Sequence, residues 1–477
     1  MMVQKIIYLQ RTMSLRKAPG IFVAVLVLLL LYGIYYCWIS FPIVSGYGAK
    51  AMCSAIFVSG RDEREVRSQD LNFMPLKLAT YRVSYRDSSV TCSIFGFTIR
   101  KAIYRKGLGA TLVNEISETA LRAQKFRLAT RPRIRTDTIP WPMGDRIAGN
   151  FPPGVDSSLV TAAVAKVFEP HHGNYINLTR ALIVVYDGQI IAERYAPGIT
   201  AHTRLPGWSM AKSVTSALIG LLVKQQKINI DDPAPVPEWK KIDDPRHNIT
   251  VKNLLQQSSG LDFEEVYDKA ADANRMLFMK RDAAAFAAKK SLRYPPDVTF
   301  RYSSGTSNIL SRICRHVIGD RDYYAFPSEQ LFFPLGMYNT VLEPDPSGTL
   351  VGSSFCFATA RDWARFGLLY LNNGVSNGSQ ILPEGWVRQS TTPAPAAEEG
   401  EYGFQWWLNA GEKNNPENCL FPGLPEDMFF ADGYEGQNIF VIPSQKLVVV
   451  RLGLTRNANW GEDELLHSII KSIRRPV

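Results

Sequence analysis

The chain has 477 residues, of which 46% are hydrophobic and 21% charged, and a formal net charge of +10. That balance excludes a disordered chain, and the length exceeds what one small core organises, so a large domain with an appendage is implied. The charge is uneven: residues 1–19 carry +4 through Lys5, Arg11, Arg16 and Lys17, residues 100–135 carry +8, and the remainder is slightly acidic. No basic face with aromatic or helical readers accompanies this charge, so nucleic acid is not an expected partner.

Residues 21–44, "IFVAVLVLLLLYGIYYCWISFPIV", form a run of 24 residues without a charge. That is long enough to span a bilayer as a helix, so the membrane is an expected partner. The basic residues precede the run and only Lys50 follows closely. This bias puts residues 1–20 in the cytoplasm and everything beyond the span in the periplasm or outside the cell. Tyr35, Tyr36 and Trp38 suit the outer interface. "VSGYGAKA" supplies small residues for cleavage, but a signal peptide has a shorter apolar core, so the length favours an uncleaved anchor.

Six cysteines are present. Cys37 lies in the span, Cys53 and Cys92 are candidates for a disulfide in an oxidising space, and Cys314, Cys356 and Cys419 read as small buried residues. There is no C-x-x-C pair and no H-E-x-x-H spacing, so neither a metal nor another cofactor is expected.

Residues 45–148 read as a small α/β appendage whose "LATYRVSYRDSSVTCSIFGFTIRKAIYR" alternates as two or three strands. A Pro- and Gly-rich linker follows, then a helix in "SSLVTAAVAKVFEP". "ALIVVYDGQIIAERY" is a hairpin turning at Asp187-Gly188, and "NIFVIPSQKLVVVRLGL" is a second strand pair near the C-terminus. "EDELLHSIIKSIRR" closes the chain as an amphipathic helix. Strands at both ends with helices between them predict an α/β (α+β) domain over 149–477. Its antiparallel sheet is closed by both termini, flanked by helices and covered by a helical subdomain.

The stretch "GWSMAKSVTSALIGLLVK" (residues 207–224) carries the chemistry. Apolar residues recur at helical spacing after Ser209, and Pro206-Gly207 stop the helix from extending backwards, so Ser209 falls in its first turn. Lys212, three residues on, stacks on the same face. The helix start offers free N–H groups to an oxyanion, and burial lowers a lysine until it serves as a base. The bland alternative is a capping serine beside a solvated lysine. Tyr302-Ser303-Ser304 precede another helical run, and a tyrosine there can relay a proton. Gly433, Gly436 and Gln437 in "FADGYEGQNIFVIP" precede a strand, where backbone N–H groups can complete an oxyanion hole.

In that order, these pieces resemble the serine β-lactamase and DD-peptidase superfamily. The resemblance is strongest to class C-like hydrolases and esterases, and among them to the 6-aminohexanoate-dimer hydrolases. "SMAKSVTSALIGLLV", "ITVKNLLQQSSGLDF", "FRYSSGTSNIL", "FATARDWARFGLLYLNNG" and "GYEGQ" carry it, over roughly residues 170–470. The resemblance implies a β-lactamase/transpeptidase-like sheet with Ser209 as acylated nucleophile, Lys212 as its base and Tyr302 sharing the proton. It implies an oxyanion hole from the backbone of Ser209 and Gln437. It implies substrate contacts from Ser304, Tyr434, Glu435 and Gly436, with Tyr267 closing over the substrate.

The family usually offers Lys-Thr-Gly or His-x-Gly where this chain has Tyr434-Glu435-Gly436, and asparagine where it has Ser304. Both departures point to a small-molecule ester or linear amide as substrate. A Glu435 carboxylate facing the pocket would repel a substrate carboxylate by roughly 4 kcal/mol at about 4 Å and an effective dielectric near 20. Arg451 and Arg456 are the cations that could offset it. A nucleophile elbow of the α/β-hydrolase type fits poorly: "AHTRLP" is a weak strand, and His467, the required late histidine, falls in the tail helix. A silent binding or sensor protein on a penicillin-binding fold, and a true β-lactamase or DD-peptidase, remain as alternatives.

Overall fold

A computed structural model describes residues 2–169, 176–456 and 459–473, without the side chains of 2–19 and 176. The basic residues Lys5, Arg11, Arg16 and Lys17 therefore lie outside the described side chains. The apolar run belongs to one helix, α1 (Met2–Phe57). Its stretch Gly20–Phe57 is long and apolar enough to cross a membrane. Large apolar side chains from Ile21 to Trp38 are exposed, whereas Ile43, Ala49, Met52 and Ile56 are buried against the folded domain. The helix thus continues past Val44 and becomes part of the protein core.

Around that buried end wraps an antiparallel meander of β1 (Ala79–Ser84), β2 (Ser89–Ile94), β3 (Phe97–Arg105) and β4 (Gly109–Leu112). The expected disulfide is not made: Cys53 and Cys92 are buried free thiols. Cys92 Sγ faces α1 at Gly48, about 7.5 Å along the helix axis before Cys53. A single apolar cluster runs from Ile43, Met52, Val90 and Ala110 to Val214, Trp363 and Leu452. Polar links reinforce it: Arg180 donates to Asp70 at 2.7 Å, and Glu343 pairs with Lys50 in the core.

The larger domain starts with α2 (Ser157–Val167), β5 (Ile176–Tyr186) and β6 (Gln189–Tyr195). Asp187 and Gly188 both take positive φ (46° and 78°), the two-residue turn that matches the twist of a hairpin. Then come α3 (Met210–Lys224), α4 (Ser304–Ile318), α5 (Ala360–Leu371), β7 (Trp407–Leu408), β8 (Phe429–Gly433), β9 (Gln437–Ile442), β10 (Leu447–Arg456) and α6 (Glu462–Ser472). The sheet order is β7-β8-β9-β10-β5-β6, all antiparallel, so the last long strand pairs with the first. Side chains alternate across it. Ile183, Val185, Val448 and Val450 face the core that holds α3 and α5, while Leu182, Val184 and Val449 pack on α2 and α6. This arrangement is the expected fold.

Candidate active site

Ser209 is the N-cap residue of α3, yet its side chain makes no capping hydrogen bond. The bland reading of this serine is therefore not what the structure contains. Trp208 just before it has φ +46°, a region few non-glycine residues occupy, and it turns the chain sharply onto the helix. Gly207 is needed beneath that turn because a Cβ there would lie 2.3 Å from the Trp363 ring.

Lys212 is 1% exposed. Its Nζ donates to Ser209 Oγ at 3.0 Å, Ser304 Oγ at 3.0 Å and the Ser353 carbonyl at 3.1 Å. Burial pulls the amine down to about 8, although Glu265 and Asp432 oppose the shift. Tyr302 hydrogen-bonds Ser209, and its ring centroid lies 4.7 Å from the Lys212 ammonium and 5.3 Å from the stacked Trp407 ring. Burial raises the Tyr302 phenol well above its ordinary value, so it rests protonated. Lys212 is then the group able to take the Ser209 proton near neutral pH, and Tyr302 the group able to pass one on.

Ser304 opens α4 and is fully buried. Its hydroxyl bridges Lys212 and Glu265, the latter at 2.5 Å, while its backbone N–H donates to the other Glu265 oxygen at 2.8 Å. Ser304 is thereby tied to both Lys212 and Glu265. The Tyr267 hydroxyl reaches Glu265 at 2.5 Å and Ser304 at 3.2 Å, and Asn274 fixes that loop through the Tyr267 carbonyl at 2.9 Å. Tyr434 stacks on Tyr267 with centroids 6.3 Å apart and meets Trp208 edge-on at 5.6 Å. Ser209, Tyr267 and Tyr434 line one cavity of about 130 Å³.

The three residues after Tyr434 point away from that cavity. Glu435 has φ +66°, which turns its side chain into an ion pair with Arg456 at 2.7 Å. Gly436 backs onto Arg451, whose guanidinium donates to the Gly436 carbonyl at 2.7 Å. The Gln437 side chain lies in the sheet, where it exchanges hydrogen bonds with the Gly453 backbone at 2.8 and 3.0 Å. The expected repulsion from Glu435 is thereby corrected, because its charge is already met by Arg456. Both candidate cations are also engaged: Arg456 also donates to the Gln69 and Asp70 carbonyls, and Arg451 to Asn177 and Thr455. His467 sits on α6 with its ring bonded to the Asp463 carbonyl, which removes the histidine-dependent elbow.

Glu265 and Asn274 are the site residues that the sequence reading missed. Glu265 stands two residues before Tyr267 in "DFEEVYD", a spacing that marks nothing by itself. Among the described residues no group of three or more His, Cys, Asp or Glu is placed to hold a metal ion.

The model of the family described as Beta-lactamase matches residues 164–468. The chain belongs to the β-lactamase family. A 6-aminohexanoate-dimer hydrolase of Paenarthrobacter ureafaciens is 26% identical over 318 residues, covering 61% of this chain and 74% of that one. A putative β-lactamase from Bacteroides dorei superposes with a TM-score of 0.53 at 17% identity, covering 66% and 98% of the two chains. A family VIII carboxylesterase superposes with a TM-score of 0.52 at 15% identity, covering 69% and 98%. These structures share the fold, and the chain is a hydrolase of the serine β-lactamase superfamily.

With Lys212 as the base of the reaction proposed below, its value of about 8 sets a pH dependence. The protonated amine cannot accept the Ser209 proton, so kcat/KM for an ester should rise with pH and level off above about 8. Glu265 favours the charged amine. Glu265→Gln should therefore move the rising limb to lower pH, whereas a merely structural role for Glu265 would lower the rate without moving it.

Proposed function

We propose that this protein is a single-pass, membrane-anchored serine hydrolase that cleaves an ester or linear amide through an acyl-enzyme, with its N-terminus cytoplasmic and its catalytic domain outside. The contact that carries the reading is the buried Lys212 amine 3.0 Å from Ser209 Oγ. Ser209 Oγ attacks the substrate carbonyl and its proton passes to Lys212. Tyr302 delivers a proton to the leaving alcohol or amine as the scissile bond breaks. Water then attacks the acyl-serine, and the acid leaves with Ser209 reprotonated. The oxyanion lies at the start of α3, with the Ser209 N–H as one donor. Gly433 abuts Gly207, where a Cβ would lie 2.1 Å from the Gly207 carbonyl, so the turn that begins there supplies the second donor, from the Tyr434 or the Gln437 N–H.

Esters and linear amides are favoured over β-lactams and D-Ala peptides because, among the described residues, the two cations nearest the Tyr434-Glu435-Gly436 turn, Arg451 and Arg456, are both engaged. With Glu435 neutralised, the penalty is a missing charged hydrogen bond of about 1.5–3 kcal/mol, on the order of 10- to 100-fold, rather than active repulsion. The test is a panel of p-nitrophenyl butyrate, a 6-aminohexanoate dimer, nitrocefin and a D-Ala-D-Ala peptide. Nitrocefin turnover equal to that of the ester would return the protein to the β-lactamases.

A further inference from the structure

The cavity beside Ser209 is built partly by the helix that carries the apolar run. Ile43, Val44 and Tyr47 of α1 line it together with Leu76, Leu277 and Phe278. Tyr47 also stacks on Trp208, the residue before the nucleophile, with centroids 6.0 Å apart. At 1.5 Å per residue, Val44 and Tyr47 lie only about 4.5 and 9 Å along the axis from Phe41. The interfacial layer of a bilayer is itself about 5–8 Å thick on each side.

Two further exposed apolar features flank this part of α1, one at Phe41 and one near Tyr47. The β2–β3 turn carries Phe95, Phe97 and Ile99, all more than 60% exposed. This turn lies against the helix: Phe95 meets Phe41 with centroids 6.1 Å apart, and Thr98 Oγ1 is 3.2 Å from Ser45 Oγ. Met74 is also exposed, and its neighbours Phe73 and Pro75 line the Ser209 cavity. The aromatic hairpin tip thus adds exposed apolar surface beside the end of the exposed apolar helix. Beyond Tyr267 and Tyr434 charged and amide groups enter: the adjoining cleft sets Asp432, Asn438 and Glu462 among aromatic residues such as Phe430 and Trp460, with Met74 at its edge.

We infer that the substrate is an amphiphile of the outer leaflet, a fatty-acyl ester or amide whose chain enters the Ser209 cavity from the membrane side along α1 while its polar part lies beyond Tyr267 and Tyr434. Ser209 Oγ forms the acyl bond as the carbonyl carbon loses its alcohol or amine, which leaves protonated. Water then supplies the oxygen of the released fatty acid. This assignment rests on the anchored-hydrolase reading and adds to it the substrate class.

The test uses the full chain in phosphatidylcholine nanodiscs with p-nitrophenyl butyrate and octanoate, both below their critical micelle concentrations. Turnover by Ser209→Ala is subtracted. Four more methylenes withdrawn from water at about fourfold each should raise kcat/KM on the order of a hundredfold. Val44→Trp narrows the cavity and should lower the octanoate-to-butyrate ratio at least about tenfold, which separates the cavity from simple partitioning into the disc. The exposed double variant Phe95→Ser, Phe97→Ser should slow turnover of p-nitrophenyl palmitate held in the disc relative to butyrate. Ser209-dependent turnover with no chain-length preference, or a ratio unmoved by Val44→Trp, overturns the lipid assignment and leaves the hydrolase standing. No Ser209-dependent turnover of any ester overturns both.

Discussion

Ser209→Ala is expected to lower turnover of p-nitrophenyl butyrate by about 10⁴-fold or more, and Lys212→Ala by a comparable factor. The double variant should be no worse than either single one. In the proposed mechanism the two groups act as one unit, since the amine that takes the Ser209 proton lies 3.0 Å from that hydroxyl. Groups that work as a unit lose their effect together when either is removed. Tyr302→Phe should cost less, about 10²–10⁴, because it removes one proton transfer and leaves the nucleophile and base in place. His467→Ala should cost nothing, since that ring lies on α6. A fluorophosphonate probe gives the same answer on a gel: wild-type protein is labelled and Ser209→Ala is not. Unlabelled wild-type protein beside equal ester turnover by both forms would leave only a silent binding fold.

What the sequence made legible was whatever is set by local periodicity and turn chemistry. The Asp187-Gly188 turn announces its hairpin because both residues must take positive φ there. The spacing of Ser209 and Lys212 announces their contact because residues three apart share a helix face. Tyr267 and Tyr302 were legible through resemblance alone, since nothing local brings two loops together. The direction of the Gln437 side chain has no signature in the sequence either. A strand presents alternate side chains to opposite faces, and positive φ at Glu435 and Gly436 sets which face Gln437 takes. Glu265 reaches Ser304 across 39 residues, a contact without local signature. The end of α1 was illegible too, because the apolar run stops near Val44 while the helix continues with a different partner.

Glu343→Leu is expected to destabilise the whole protein by about 3–5 kcal/mol, because it leaves the Lys50 ammonium buried without a partner. Glu343 is 0% exposed and Lys50 4%. The carboxylate pairs with Lys50 and accepts from Ser54 Oγ at 3.0 Å and from the Ala110 backbone at 2.6 Å, so it ties α1 and β4 to the catalytic domain at one point. Burial raises its pKa, with Lys50, Ala110 and Ser54 acting in the opposite direction. For a domain of this size such a loss lowers the unfolding temperature by roughly 3–6 °C. Lys50→Met combined with Glu343→Leu removes both charges and should recover most of the loss, since apolar replacement of a whole buried pair is close to neutral. Activity should follow stability, because Tyr47, one turn before Lys50, holds the Trp208 turn on which Ser209 stands. Unfolding in detergent, followed by tryptophan fluorescence for wild type, single and double variants, distinguishes the outcomes. Equal midpoints for all three would mean that α1 is only a tether. A low single and a restored double would make the helix a structural member of the catalytic domain.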